Sequence, residues 1–278
     1  MTTNTGYENF VLESRLTDLL NTKMSVRNFM TIDDSLTEAP GMKKTINVYT
    51  YTGKVEELAK GAKNSQRGSV SFTPKHYTVK VAQQVFDYYD EDFMQDPKIV
   101  DMGLEGSATT MINDLNTKFF AELAKTSTTH ETTGLTLTYD DIVDAIEKMN
   151  IEDESKLFLI IGLDLKAELR KDPDFKSARQ GEILFNGQIG SIAGIPVVVS
   201  KITTAATAYL ATKEAVTLFV KKESEVEQDR DKEARKNTVI SRKVNIVALT
   251  DETKAVKITK GGGFLSLNED GKKEKKSK

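Results

Sequence analysis

Asp96-Pro-Lys-Ile-Val-Asp-Met-Gly-Leu-Glu-Gly-Ser-Ala-Thr-Thr-Met-Ile-Asn-Asp-Leu-Asn-Thr-Lys-Phe-Phe-Ala-Glu-Leu-Ala124 reads as one long amphipathic helix, and the rest of the chain is organised around it. Asp96 is suited to the N-cap and Pro97 to the first helical position, where its missing N–H costs nothing. Leu104, Ala108, Met111, Ile112, Leu115, Phe119 and Leu123 recur at spacings of three and four, while Asn113, Lys118 and Glu122 fall elsewhere. At ~1.5 Å per residue the helix is roughly 40 Å long. A compact globule of this chain length has a radius of gyration of about 19 Å, so the helix crosses nearly all of it. Gly103 and Gly106 each weaken it by up to about 1 kcal/mol and imply a bend or a close backbone approach.

Before this rod the pattern has period two. Thr45–Thr52, then Ser69–Thr73 and His76–Val81, alternate and are rich in β-branched and aromatic residues, which predicts the two arms of an antiparallel hairpin. Between them Gly61-Ala-Lys-Asn-Ser-Gln-Arg-Gly68 is small, polar and basic, the composition of a loop tip. An isolated two-stranded hairpin is marginal in water, so one that projects needs a second surface, its own domain or another subunit. Further upstream, Leu12, Leu16, Leu19 and Leu20 have helical spacing, readable as a helix packed on its own domain or as an arm docked on a neighbour. Asp87–Asp96 carries five carboxylates, but no calcium-loop spacing, and is explained by a solvated elbow ahead of a helix N-terminus.

After the rod, Thr126–Gly134 reads as a linker. A region of α/β character follows. Thr138 and Asp141 form a capping-box pattern for a helix carrying Ile142, Val143, Ile146 and Met149. Leu157–Ile161 is a buried strand, Leu163–Lys171 a helix stopped by Asp172-Pro173, and Gly190–Ser200 a glycine turn and a strand. Tyr209–Leu210, Ala215–Val220, Thr238–Leu249 and Ala255–Ile258 are further strands. Glu223–Lys236 is a mixed-charge run expected as a solvated loop or short helix. The glycines at 261–263 and the lysine-rich segment after them are expected as a flexible tail.

Composition sets the limits. The 278 residues, 38% hydrophobic and 29% charged, describe an ordinary soluble protein, and a net charge of −3 exerts no general pull on nucleic acid. No run has the apolar length that crosses a membrane, and the N-terminus lacks the pattern of a secretory signal. With no cysteine, thiolate nucleophiles and Cys-ligated zinc are excluded. His76 and His130 have no spacing that suggests a metal pair or a triad, and neither a nucleophile elbow nor a phosphate-cradling loop occurs. No catalytic, cofactor-binding or metal-ligating residue is nominated, and no cofactor is expected.

The order of a short arm, a long hairpin with a polar tip, a long helix, an α/β region and a late return strand resembles the major capsid protein fold of tailed bacteriophages, which encapsulin shells share. The stretches that carry the resemblance are the hairpin Lys44–Val81, the helix Pro97–Ala124, the segment Ile192-Ala-Gly-Ile-Pro-Val-Val-Val199 and the closing run Val226–Leu249 leading to Lys254–Thr259. The resemblance implies an α+β chain divided into an N-terminal arm (1–30), an extended hairpin loop (31–86), a peripheral domain with the spine helix (87–137 and 245–262), an axial domain (138–244) and a lysine-rich tail (263–278). It implies a non-enzymatic virion protein that assembles with itself as pentamers and hexamers, the hairpin lying over a neighbour. A separate scaffolding protein, a portal protein and packaged double-stranded DNA without sequence-specific contact are the further partners, with assembly in the bacterial host cytoplasm and no membrane. Some members join a hairpin lysine to an asparagine. Lys60 and Lys63 lie on the tip, but neither the acceptor asparagine nor the catalytic glutamate is matched, so that reaction is not expected. An encapsulin-like cargo shell is the alternative within the structural class, and a soluble α+β enzyme or binding domain the alternative outside it.

Overall fold

The computed structural model describes residues 9–22, 26–38, 40–65, 67–173 and 190–261. The expected tail at 263–278 and the start of the arm at 1–8 lie outside them. The helices are α1 (Asn9–Thr22), α2 (Asp90–Gln95), α3 (Ile99–Leu123), α4 (Tyr139–Met149) and α5 (Leu163–Leu169). The strands are β1 (Thr31–Asp33), β2 (Lys43–Tyr51), β3 (Val70–Thr78), β4 (Lys80–Tyr89), β5 (Thr129–Glu131), β6 (Leu157–Ile161), β7 (Ser191–Ile192), β8 (Ile195–Val199), β9 (Thr207–Thr212), β10 (Val216–Asp231), β11 (Lys236–Leu249) and β12 (Ala255–Thr259). Two compact units result. The first takes α1, Ile32–Asp114 and Leu218–Ala248; the second takes Val26–Thr31, Leu115–Thr217 and the chain from Leu249. Helix α3 gives residues 99–114 to the first and 115–123 to the second.

The first unit is a sheet in the order β1-β10-β11-β4 packed against α1 and α3. Asp96 does cap the rod, its Oδ1 accepting from the Lys98 amide at 3.0 Å. The apolar stripe is buried, with Val100, Leu104, Ala108 and Met111 meeting Tyr88, Val226 and Val239 of the sheet. The two glycines behave differently. A Cβ on Gly103 would stand 2.4 Å from the Phe86 ring, so this is a close approach of helix to sheet, whereas nothing lies within 4 Å of one on Gly106. Helix α1 packs on its own unit: Leu12 and Leu16 join the α3 stripe, Arg15 pairs with Asp101 at 2.6 Å, and Thr17 shares a 2.8 Å hydrogen bond with Ser224. The arm is therefore a docked helix of its own molecule over this span.

Two expectations are corrected in this unit. Glu223–Lys236 is neither loop nor helix. Strand β10 runs through it to Asp231, and the chain turns at 232–235. Ser224 and Val226 alternate into the unit while Glu223, Glu225 and Glu227 point to the other side, so the charges occupy the wet face of a strand. The turn is held by Asp231 Oδ1, which accepts from the Glu233 and Ala234 amides at 2.9 and 3.1 Å, and by Arg235 in the left-handed region at φ 53°. The second correction concerns the hairpin, whose expected arm and loop extend to Val81 and residue 86. From Lys80 the chain leaves that ribbon and pairs with β11 instead, Lys80 opposite Asn245 and Tyr89 opposite Lys236. Because β11 pairs with β4, residues 218–244 fall with the rod's first part, outside the compact unit that holds the rest of 138–244.

The second unit is a six-stranded sheet in the order β5-β12-β9-β6-β8-β7. Helices α4 and α5 cover one face, burying Ile142, Ile146, Leu165 and Leu169 against Leu159, Leu210, Val256 and Ile258. The capping box forms as expected, and Asp141 does more than cap: its Oδ1 also accepts from the Thr133 amide at 2.9 Å. The expected linker 126–134 contains β5, which lies parallel to β12. That places the late strand β12 in this unit's sheet, between β5 and β9.

The two rod glycines give opposite outcomes when changed. Gly103→Ala forces a methyl into Phe86 and is expected to cost ~1–3 kcal/mol, recovered in part by Phe86→Leu. Gly106→Ala is expected to gain up to about 1 kcal/mol, since the position is open and alanine favours helix. Urea denaturation of the three variants checks both signs.

Candidate assembly interface

Strands β2 and β3 form a two-stranded sheet of their own, with Lys43 opposite Thr78 and Tyr51 opposite Val70. The ladder extends one step further, where the Thr52 amide donates to the Ser69 carbonyl at 3.1 Å. The ribbon's root is anchored on one face. Ile46 and Tyr77 pack with Leu36, Val79, Phe219 and Ala248, and the Tyr77 ring stacks on Phe219 at 5.2 Å. Lys44 pairs with Asp33 at 3.5 Å beside them.

The far half of the other face is uncovered. Tyr49 lies opposite Phe72 and Tyr51 opposite Val70, and side chains of such pairs share a face. They are 67, 60, 71 and 67% exposed, and the Tyr49 and Phe72 rings, 6.0 Å apart, shield one another only in part. Beyond them the loop 52–69 is polar but organised. Glu56 accepts from the Ser65 amide at 2.8 Å and from its hydroxyl, and Val55 is 98% exposed. Gly53 and Gly68 make the neck. A Cβ on Gly68 would stand 2.9 Å from the Gly53 Cα, and one on either glycine would strike the Tyr51 ring. Lys60 and Lys63 lie on this exposed loop.

Sequence reasoning located the ribbon but missed its apolar face. The signal was present in the period-two alternation, since Asn47, Tyr49 and Tyr51 must share a side with Val70, Phe72 and Pro74 once the register is known.

The acidic elbow stays at the solvated surface as expected, and it is also ion-paired. Arg230 holds Asp90 at 2.6 Å, Arg235 holds Glu91 at 2.8 Å and Lys236 holds Asp87 at 2.7 Å. Asn237 Nδ2 donates to the second Asp90 oxygen at 2.7 Å, and the Asp90 amide donates to the Arg235 carbonyl at 3.0 Å. The hydrogen bond from Asn237, followed by Arg230, holds the Asp90 carboxyl below its ordinary value. Asp87 is lowered likewise by the hydrogen bonds from Lys236 and Thr238. The elbow is thus a clasp between β4, α2 and the β10–β11 turn. Among the described residues no group of three or more His, Cys, Asp or Glu side chains is placed to hold a metal.

Of the two histidines, His76 is a strand residue whose Nδ1 shares a 2.9 Å hydrogen bond with Thr45. His130 sits on β5, not in an open linker, buried with Nε2 4.0 Å from Asp141. Among the described residues no helix is long and apolar enough to cross a membrane.

The uncovered apolar face of the ribbon is a surface open to association. Comparison with known proteins decides which kind. The profile of a family described as phage capsid protein matches residues 73–258. The chain belongs to the phage capsid protein family. It is 28% identical over 269 residues to a curated major capsid protein of Staphylococcus phage phiMR11, across 92% of this chain and 94% of that one. Among solved structures, one from Mycobacterium phage Che8 superposes with a TM-score of 0.65 at 15% identity, covering 82% of this chain and 88% of that one. A virus-like particle from Pyrococcus furiosus superposes with a TM-score of 0.64 at 10% identity, covering 91% and 100%. At such identities the two structures speak for the fold alone, the α+β capsid fold that the order of elements implies. The capsid protein is a structural shell component of the virion and not an enzyme, as its family establishes.

The clasp titrates in a stated direction. Asp87 and Asp90 have folded-state pKa values below the ordinary 3.8, so their contribution is present above that value and is lost as pH falls through the lower folded values. A double-mutant cycle on Arg230→Ala and Asp90→Ala is expected to give a favourable coupling at pH 7 that is still present at pH 4 and is lost only as pH falls through the lowered folded-state value, below the ordinary 3.8.

Proposed function

We propose that this chain is the major capsid protein of a phage head, and that many copies close an icosahedral shell around double-stranded DNA. The observation that carries this reading is the half-anchored ribbon. Its root is buried in its own unit while Tyr49, Tyr51, Val70 and Phe72 stay uncovered. Full burial of a large apolar side chain is worth ~1.5–3 kcal/mol, so covering this face on a neighbour contributes several kcal/mol per subunit. A closed shell repeats that contact at every copy, and weak contacts add through multivalency.

In this reading the first compact unit is the peripheral domain, with α3 as its spine and the ribbon as its reaching loop. The second is the axial domain, meeting its copies around fivefold and sixfold axes as pentamers and hexamers. A separate scaffolding protein sets the curvature, a portal protein occupies one vertex, and the DNA is held without sequence-specific contact. Assembly takes place in the cytoplasm of the bacterial host. The similarity to a virus-like particle keeps a cargo shell as the second reading; the phage family profile and the phage relative favour the head.

The double variant Tyr49→Lys/Phe72→Asp, whose opposite charges face one another across the two strands, tests it. The changes add charge to an already exposed face, so the thermal midpoint of the subunit is expected to stay the same, while electron microscopy of the protein expressed with its neighbouring genes is expected to find no closed particles. Particles of normal form and number would refute the ribbon's role.

A further inference from the structure

Two surfaces of this chain, one in each compact unit, carry complementary chemistry. The first is an open trough of about 630 Å³ beside α4. Asn150 ends the helix in the left-handed region at φ 49°, so the residues after it turn back along α4, and Val143, Ile146 and Ile151 line the apolar part of the trough. Glu147, Glu152 and Glu154 line the rest, all three exposed. Among the described residues no cation pairs with them. They lie at the C-terminal end of α4, whose partial negative charge adds to theirs. Such a trough suits apolar side chains that arrive with cations beside them.

The end of the β2–β3 ribbon has that chemistry. In the loop 52–69, Val55 is 98% exposed and Leu58 46%, with Lys54 before the first and Lys60 and Lys63 after the second. Glu56 is half-buried, its carboxylate accepting from the Ser65 amide at 2.8 Å, so Glu57 is the only other carboxylate set against Lys54, Lys60, Lys63 and Arg67. Among the described residues none of the three lysines is ion-paired. The Ala62 amide donates to the Ala59 carbonyl at 2.9 Å, and Gly61 takes the left-handed φ of 87° that this turn requires. The tip is thus folded before it meets a partner, which limits the entropy lost on docking. Dimensions agree as well. From Tyr139 to Glu147 the trough follows α4 for ~12 Å at ~1.5 Å per residue, and Val55 and Leu58 stand at most ~10 Å apart at ~3.3 Å per residue, so both side chains fit along it.

We propose that the trough on α4 of one copy receives the ribbon tip of a second copy, with Val55 and Leu58 entering its apolar part and Lys54, Lys60 and Lys63 lying against Glu147, Glu152 and Glu154. The apolar contacts supply affinity, and the charges fix which way round the tip lies. This docking rests on the shell reading above and adds the place where the ribbon ends. It is separate from the cover over Tyr49 and Phe72, so either contact can fail alone.

The chain has no cysteine, so an engineered pair reports without background. Particles of the full chain carrying Val55→Cys and Val143→Cys, expressed with its neighbouring genes, are expected on mild oxidation to give disulfide-linked multimers on denaturing electrophoresis without reductant, with peptide mass showing position 55 joined to position 143. The control pair Val55→Cys and Asp144→Cys, on an exposed residue of α4 outside the trough, is expected to give at least about threefold less, since the Cβ atoms must come within ~4 Å to bond. A second arm needs no cysteine. Glu147→Lys/Glu152→Lys/Glu154→Lys is expected to leave the thermal midpoint of the subunit unchanged and to abolish closed particles in electron microscopy, and adding Lys54→Glu/Lys60→Glu/Lys63→Glu to the same chain is expected to restore them. Equal yields from the two cysteine pairs, a bond formed only within one chain, normal particles after the first reversal or no recovery after the second would each overturn the docking while leaving the shell reading intact. Failure of the unaltered chain to form closed particles would end the shell reading and this docking with it.

Discussion

A two-stranded ribbon satisfies its backbone hydrogen bonds but has only one partner strand to shield two faces, and everything distinctive about this capsid protein follows from how those faces are treated. At the root, Ile46 and Tyr77 bury one face against Phe219 and Leu36. Further out, Tyr49, Tyr51, Val70 and Phe72 on the opposite face are largely exposed. A soluble monomer gains nothing from an aromatic patch held at the end of a lever, whereas a shell subunit gains a contact it can make only with a sibling.

The lever needs a rigid base, which the rest of the first unit provides. Helix α3 lies on the sheet closely enough for Gly103 to meet Phe86, α1 adds Leu12 and Leu16 to the same stripe, and the clasp of Arg230, Arg235 and Lys236 on the acidic elbow fixes the β10–β11 turn to α2. Individually these surface ion pairs contribute little. Together with the Asn237 hydrogen bond they form a network that orients one turn, which matters more for geometry than for stability. The second unit has its own core on one face of its sheet, and Asp141 ties the loop before α4 to the helix it caps.

Local chemistry was legible from the sequence wherever a single element decided it. Asp96 and Pro97 opened the rod, Thr138 and Asp141 capped α4, and the five apolar residues Leu157–Ile161 became a fully buried strand. Pairing partners were not legible, because they depend on residues more than a hundred positions apart. Residues 80–86 looked like part of the hairpin loop and belong to the strand that pairs with β11. The charged run Glu223–Lys236 hid a strand because only Ser224 and Val226 mark its inner face, too few to outweigh the charges on the outer one. His130 read as part of a linker because the three-residue strand it belongs to is created by β12 alongside it. The uncovered ribbon face required both the register and the exposure of its residues. Its residues are those that any strand might carry.

The central claim is that the outer half of the ribbon is completed by another subunit. Hydrogen exchange read by mass spectrometry, compared between unassembled subunits and purified particles, addresses it directly. Peptides covering Val48–Tyr51 and Val70–Thr73 are expected to exchange rapidly in the subunit and to become protected in the particle, while peptides from the anchored root around Ile46 and Tyr77 change far less. Equal exchange of the outer ribbon in the two states would contradict the account.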